Sequence, residues 1–560
     1  MSMTIRLNKL LFCCIFTCLS FAFDMQGQSD FYAHEQFSRA DTLRGMLRPE
    51  RTCYDVHYYD LDVDVFPEDK RIKGKVEVHF KTVADFRRLQ VDLFANMELT
   101  AVNFKGKKLS FERIDNAIFI DFPQQVKGTK SSFVMEYEGT PIAANNPPWD
   151  GGFVWREDPE GKPWIGVACE GVGASLWWPN KDHLSDEPDS MRIHIGVPKD
   201  LFAVANGELE NIRVKGEHRK FDWFVSYPIN NYNVSLNIAD YTHWQETYTA
   251  ADDSTMPLDY YVLKPNEAKA RKHFRQVHEV LSCFEQYFGK YPFWEDGYAL
   301  VETPYLGMEH QGAIAYGNQY MRGYLGTMIP RNMDWDYIIV HETGHEYFGN
   351  SISCNDHAEM WIHESFTTYM EALFIECKYG YEEAVGYLQS QQLYVENQEP
   401  ILGPMDVNWD KWKGSDHYYK GALILHTLRS AMGDDALWFK TLKALHTENV
   451  ISHMTTAEVI EHFDKVTDLD LKPFFQQYLE YAKTPCLLYE IETYKKGIIV
   501  SYKWDTEVKA FNMPVKIGTP GNYTLIHPKT DEWQEVKLPK VSAKQFKVAK
   551  ELFLVRSRPK

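Results

Sequence analysis

His341-Glu342-Thr343-Gly344-His345 sets two imidazoles four residues apart with a carboxylate between them. Four residues along a helix bring two side chains to one face, about one turn apart. Two imidazoles placed so can bind one Zn²⁺, and Glu342 projects beside the metal without ligating it. Upstream, Trp335, Ile338 and Ile339 give that helix an apolar face. Taken alone, the motif is also compatible with a pair of ordinary histidines on a helix. Its surroundings decide between the two. Nineteen residues after His345 comes Glu364, in Trp361-Ile362-His363-Glu364-Ser365-Phe366, with Tyr369 and Leu373 following at helical spacing. Glu364 is therefore expected on a second helix lying against the first. Two His and one carboxylate, with a fourth position left to water, make the ligand set of a catalytic rather than a structural zinc.

H-E-x-x-H followed by eighteen residues and Glu is the pattern of the gluzincin aminopeptidases, the family of aminopeptidase N and leukotriene hydrolase, and the chain resembles that family at four separated segments. His341 to Asn350 (HETGHEYFGN) and Trp361 to Glu371 (WIHESFTTYME) are similar to its two metal-binding helices. His363 stands where the family usually has Asn, and Ser365 where it usually has Gly. Glu371 matches a position whose carboxylate orients a metal-binding imidazole. Leu306-Gly307-Met308-Glu309-His310 resembles the family's G-A-M-E-N segment, with Leu306 replacing Gly and His310 replacing Asn. Cys169-Glu170-Gly171-Val172-Gly173, with Pro179 and Asp186-Glu187-Pro188 further on, resembles the stretch that carries the second amine-binding residue. Tyr418-Tyr419-Lys420-Gly421-Ala422 resembles Y-x-K-G, and counting back from Lys420 and Gly421 selects Tyr418.

The resemblance implies a zinc-dependent aminopeptidase that hydrolyses the N-terminal peptide bond of peptides by metal-activated water. One Zn²⁺ per chain is held by His341, His345 and Glu364. Glu342 is the general base, and Tyr418 donates to the tetrahedral intermediate. Gly307, Met308 and Glu309 form the substrate-binding segment, and Glu309 and Glu170 grip the free α-amine of the peptide. A zinc hydrolase becomes an exopeptidase only if carboxylates hold that ammonium one residue from the metal. Two other readings stay open: an epoxide hydrolase of the leukotriene branch, and a non-catalytic secreted peptide-binding protein. The presence of His341, Glu342, His345, Glu364 and Tyr418 together argues against the second.

These residues must be carried by a large scaffold. The chain has 560 residues, 44% hydrophobic and 25% charged, with a formal net charge of -19. Such an acidic chain is a poor partner for nucleic acid. Arg6 and Lys9 precede an apolar run from Leu10 to Phe23, too short to span a bilayer, which reads as a signal peptide over residues 1–27 and hence export to the periplasm or beyond the cell. The residues before Cys18 match a lipobox poorly, so lipoprotein anchoring is disfavoured, and no later stretch is apolar enough for a transmembrane segment. Period-2 alternation from Tyr54 to Tyr261 predicts a large antiparallel β domain over residues 28–263. Asn266 is a candidate N-cap, Glu267 to Phe288 reads as one helix, and helical spacing returns from Asp334 to Ala482. These patterns predict a mainly α-helical domain over residues 264–485, thermolysin-like by the resemblance. Strand patterns after Cys486 predict a small β-sandwich over residues 486–560. The fold class is thus multidomain α+β. The six cysteines beyond the leader are scattered, so no disulfide framework is expected and most read as small buried hydrophobes. Many family members carry a large helical domain after the β module. The sequence ends about 75 residues past Cys486, which implies a more open active site or one closed by a partner subunit. A homo-oligomer is left open.

Overall fold

Along Tyr54–Phe66, Tyr59, Leu61, Val63 and Val65 are buried and the residues between them are half-exposed. That is the alternation of a strand with one face on a core. The computed structural model describes residues 26–467 and 470–560. The leader expected over residues 1–27 lies outside the described residues up to residue 25. No helix among the described residues is long and apolar enough to cross a membrane.

Tyr54–Phe66 lies inside an eight-stranded sheet. Its order is Glu208–Lys215, His218–Val225, Ser190–Pro198, Tyr54–Phe66, Arg71–Thr82, Lys130–Gly139, Met97–Phe104 and Lys107–Lys108. Neighbours run antiparallel except Tyr54–Phe66 and Ser190–Pro198, which are parallel. The β domain expected to be antiparallel thus contains one parallel pair in this sheet. A parallel pair needs a long crossover, and the chain between these two strands is long enough to build further sheets before it returns. A separate four-stranded sheet, ordered Phe202–Val204, Asn237–Ala239, Pro163–Ala168 and Gly152–Glu157, takes two strands from that crossover and two from the chain beyond Ser190–Pro198.

A five-stranded sheet follows, ordered Tyr241–Thr249, Thr255–Leu263, Tyr298–Glu302, Ile314–Tyr316 and Gly307–Met308. Its ladder crosses the boundary drawn at residue 263 from sequence, because Thr255–Leu263 pairs in parallel with Tyr298–Glu302. The two-residue strand Gly307–Met308 forms one edge of this sheet, antiparallel to Ile314–Tyr316.

Three short helices precede the first strand: α1 (Gln26–Tyr32), α2 (Arg39–Gly45) and α3 (Pro49–Thr52). The single helix expected from Glu267 to Phe288 is two, α4 (Glu267–His273) and α5 (Gln276–Phe288). The chain turns at Phe274, whose ring is buried 4.9 Å from that of Tyr316. Asn266 stands at the N-cap but its side chain caps nothing. It donates instead to Glu302 Oε1 at 2.7 Å.

Four further helices carry or frame the site: α6 (Tyr337–His345), α7 (Trp361–Tyr379), α8 (Tyr381–Gln391) and α9 (Tyr419–Met432). Every residue of α6 is buried, as is every residue of α7 from Trp361 to Ile375. Helices enclosed on all sides belong to a core, not to a surface. A disulfide joins Cys283 of α5 to Cys377 of α7, so these two cysteines are not the independent small hydrophobes expected from their scatter. Packing of α5 on α7 brings together two thiols separated by 94 residues, which spacing along the chain cannot reveal. Cys53, Cys169, Cys354 and Cys486 are free and buried. After Cys486 come a four-stranded and a three-stranded sheet, and the whole is a mixed α+β fold.

Candidate active site

Asp336 starts the helix that carries the first two candidate ligands. Its carboxylate accepts from the backbone N–H of Ile338 and Ile339 and caps α6. Its other oxygen accepts from Tyr316 Oη at 2.8 Å and pairs with His273 Nε2 at 2.7 Å. One turn of α6 then sets His341 Nε2 and His345 Nε2 3.2 Å apart. From α7, Glu364 Oε2 reaches 3.6 Å from the first and 3.3 Å from the second. All three residues are buried, and their ligand atoms lie within 4.8 Å of one another.

The other side of each ring is held. Glu371 Oε1 lies 2.7 Å from His341 Nδ1, while its Oε2 accepts from Tyr387 Oη and from Gln391 Nε2. The carbonyl of Phe348 lies 3.0 Å from His345 Nδ1. Both partners accept only, so each Nδ1 carries the proton and each Nε2 presents a lone pair. Two lone pairs at 3.2 Å, beside a buried carboxylate oxygen of Glu364 that has no hydrogen-bond donor, make a set that a divalent cation fits. Charge points the same way. Burial opposes charge on His341, yet the neighbouring carboxylates of Glu364 and Glu371 outweigh it and raise its pKa well above the ordinary value. Burial likewise opposes charge on Glu364, yet His345 and His341 hold its carboxyl well below the ordinary range. The site favours positive charge at its centre.

Glu342 lies on the same buried helix, beside the edge strand. Burial pushes it up to about 8, against the pull of His341 and His345. Its Oε1 fills the space where Gly307 would carry a Cβ, at 2.6 Å, with Ile338 Cγ2 at 2.8 Å. Glu309, Glu342 and His345 also form a close acidic group, which shares His345 with the first. Glu309 is buried and accepts from Tyr232 Oη at 3.1 Å, and Asn350 Nδ2 holds its carbonyl at 2.8 Å. Burial raises the carboxyl of Glu309, with His345 pulling against it. Burial and then the charge of Glu309 raise Glu170 well above its ordinary range. Tyr418 precedes α9, its ring stacked 6.0 Å from that of His341. Burial, then Glu364 and Glu170, keep its phenol protonated far into the alkaline range.

The candidate ligands, catalytic residues and substrate-binding residues thus all border one cavity of about 940 Å³: His341, His345 and Glu364, Glu342 and Tyr418, and Glu170, Gly307, Met308 and Glu309. Among the described residues that line it there is no Lys and no Arg. The departures from the family pattern have places too. Ser365 Oγ donates to the His417 carbonyl at 2.7 Å, just before Tyr418. His363 Nε2 accepts from the backbone of Cys354 at 2.8 Å. Leu306 lines the cavity, and His310 is buried with no hydrogen bond to either ring nitrogen. Sequence reasoning passed over Tyr232, Asn350 as a clamp on Glu309, and the loop bearing Trp409, Asp410 and Trp412 that walls the cavity. Asn350 lies inside the quoted His341 to Asn350 segment and was within reach of it; Tyr232 and the loop carry no local signal.

Comparison with known proteins adds to this geometry. Residues 273–478 match the model of the peptidase family M1 domain. Aminopeptidase N of Streptomyces lividans is 25% identical over 320 residues, 53% of this chain and 36% of that one. Probable aminopeptidase 2 of Sulfurisphaera tokodaii is 21% identical over 357 residues, 60% of this chain and 43% of that one. Glutamyl aminopeptidase of Rattus norvegicus is 22% identical over 491 residues, 82% of this chain and 46% of that one. The chain therefore spans less than half the length of each of these relatives. Among solved structures, an M1 zinc metallopeptidase mutant of Deinococcus radiodurans bound to a Tyr-Ser-Ala substrate superposes with a TM-score of 0.63 at 18% identity, covering 77% of this chain and 95% of that one. That likeness shows the fold.

Proposed function

We propose that this chain, whose residues 273–478 match the peptidase family M1 domain and which resembles aminopeptidase N, is a zinc-dependent aminopeptidase acting on peptides with a free N-terminus. The observation that carries this reading is the company the metal-fitting triad keeps. Two buried or half-buried carboxylates, Glu170 and Glu309, border the same cavity, with no Lys or Arg in its described lining to neutralise them. Paired carboxylates facing a cavity of this kind suit a substrate ammonium.

His341, His345 and Glu364 would hold one zinc ion. When bound, zinc supplies a Lewis acid and makes hydroxide available at neutral pH. Glu342 accepts a proton from the attacking water and passes it to the leaving amine. Tyr418 keeps its proton and donates a hydrogen bond to the oxygen of the attacked carbonyl. Glu309, steadied by Tyr232, and Glu170 hold the α-ammonium, and so choose which peptide bond meets Glu342. The edge strand Gly307–Met308 offers its backbone to the extended peptide as an added strand.

The test is a panel of fluorogenic aminoacyl substrates, each free and N-acetylated, with and without chelator. Free substrates are expected to be cleaved, acetylated ones to be spared, and chelator to stop turnover. Glu342→Gln is expected to keep its zinc and to lose on the order of 10² to 10⁴ in kcat. Near-normal turnover in that variant would overturn the mechanism. We also propose export. The Cys283–Cys377 disulfide supports it, since disulfides persist in oxidising compartments, and the intact mass of protein recovered outside the cytoplasm tests it.

A further inference from the structure

We infer that the N-terminal arm, residues 26–52, belongs to the substrate-recognition apparatus, in which Arg44 of α2, together with Asn408, positions the carboxylate of Glu170. This deepens the aminopeptidase reading and rests on it. Glu170 stands on a tight turn in which Val172 N donates to its carbonyl and Gly173 N to that of Cys169, each at 2.7 Å. The next residue, Gly171, has φ +69°. The carbonyl of Gly171 accepts two hydrogen bonds, from Arg44 Nη2 at 2.8 Å and from Asn408 Nδ2 at 2.9 Å. A carbonyl oxygen has two lone pairs, so these donors saturate it. They fix the Gly171–Val172 peptide plane, and because Val172 N in that plane donates to the Glu170 carbonyl, they restrain the turn on which Glu170 stands and the direction in which its side chain leaves.

The two donors come from different parts of the chain that are locked together. Asn408 belongs to the loop that walls the cavity through Trp409, Asp410 and Trp412. At Gly45, the last residue of α2, a Cβ would come within 2.4 Å of the backbone nitrogens of both Val407 and Asn408, so the arm lies flush on the loop. Gln28 Nε2 donates to the Gly403 carbonyl at 2.5 Å. The ring of Tyr32 meets that of Trp409 edge-on at 5.3 Å, and Trp412 stacks on His417 at 4.9 Å. The arm therefore braces the Glu170 turn from one side and the cavity wall from another. Arg44 bonds to none of His341, His345, Glu364 and Glu342, so its loss should weaken capture of the amine and not the bond-breaking step.

Arg44→Ala, Asn408→Ala and the double variant test this on full-length protein. Steady-state kinetics with free and N-acetylated aminoacyl substrates, zinc content and thermal midpoint are measured on each. Arg44→Ala is expected to raise KM for free substrates about tenfold, the size of one lost charge-assisted hydrogen bond, with kcat and zinc content kept. Arg44→Lys, which retains one charged donor, is expected to recover part of the loss. The double variant should be worse than either single one. An unchanged KM in Arg44→Ala, or a fall in kcat and zinc content in step with the rise in KM, overturns the inference. Should Arg44→Ala fail to fold, Asn408→Ala decides alone, because it removes one donor and leaves the arm intact. Wild-type protein that cleaves free and acetylated substrates alike brings down the aminopeptidase reading and this inference together. Wild type that discriminates, beside variants that discriminate equally well with unaltered KM, brings down this inference only.

Discussion

Gly307 carries no side chain, and Glu342 occupies the space one would need. With Glu342 Oε1 2.6 Å and Ile338 Cγ2 2.8 Å from the point where a Cβ would sit, Gly307→Ala forces either the edge strand or the candidate base to move. Overpacking of this kind costs about 1–3 kcal/mol. The expected outcome is a kcat at least about tenfold lower, with zinc content unchanged by metal analysis, since the nearest atoms to that position belong to Glu342 and Ile338 and not to the three ligand residues. At this scale much was legible. His341, Glu342, His345 and Glu364 declare themselves because helical spacing places them within a short stretch of chain. Tyr232 does not, because it meets Glu309 across 77 residues and nothing local marks it. Ser365 was noticed as a departure, but its bond to the His417 carbonyl depends on where α9 starts, which spacing alone does not reveal.

Between helices, two links carry separate predictions. The Cys283–Cys377 bond closes a loop of 94 residues across α5 and α7. By the chain-entropy account such a loop contributes about 4–5 kcal/mol, so Cys283→Ser with Cys377→Ser is expected to lower the urea midpoint by a corresponding amount. Because α7 carries Glu364 and Glu371, zinc retention should weaken in the same variant. The second link is Lys420, fully buried in α9, whose Nζ donates to the carbonyls of Tyr481 and Ala482 just before the C-terminal sheets. Burial lowers its pKa from 10.5 to about 8. Between those values the unfolded chain still holds the proton that the folded one has released, so folding becomes more favourable as pH rises through this window; below about 8 both states hold it and the term is constant. The stability of wild type relative to Lys420→Met is therefore expected to climb by up to about 3 kcal/mol between pH 8 and 10.5, as read by urea unfolding. Neither link is visible in sequence. Helical periodicity identifies α7 and α9, but which helix each one touches is a tertiary fact. The break between α4 and α5 escapes for the same reason, since Phe274 turns the chain to reach Tyr316.

Over the whole molecule, net charge and cavity lining agree. The chain carries a formal charge of -19, and the cavity adds Asp150, Glu396 and Asp410 to the carboxylates already named. Such a field raises the local concentration of cationic peptides and is screened by salt. For substrates rich in Lys or Arg, kcat/KM is expected to fall as NaCl rises from ~0.05 to ~0.5 M, while neutral substrates change little. A flat response for both classes would remove the field from the account. The α+β class was readable from the change of rhythm along the chain. The membership of each sheet was not, because alternation marks a strand without naming its neighbour. Thr255–Leu263 looks like the end of the β-rich half, yet it is hydrogen-bonded to Tyr298–Glu302 beyond α4 and α5. That pairing decides where this protein can be recombined with its relatives. A chimaera joined at residue 263 would inherit half a ladder from each parent, with Leu258 facing Tyr298 across mismatched sequences. A junction at residue 240, between Asn237–Ala239 and Tyr241–Thr249, would pass each sheet whole from a single parent.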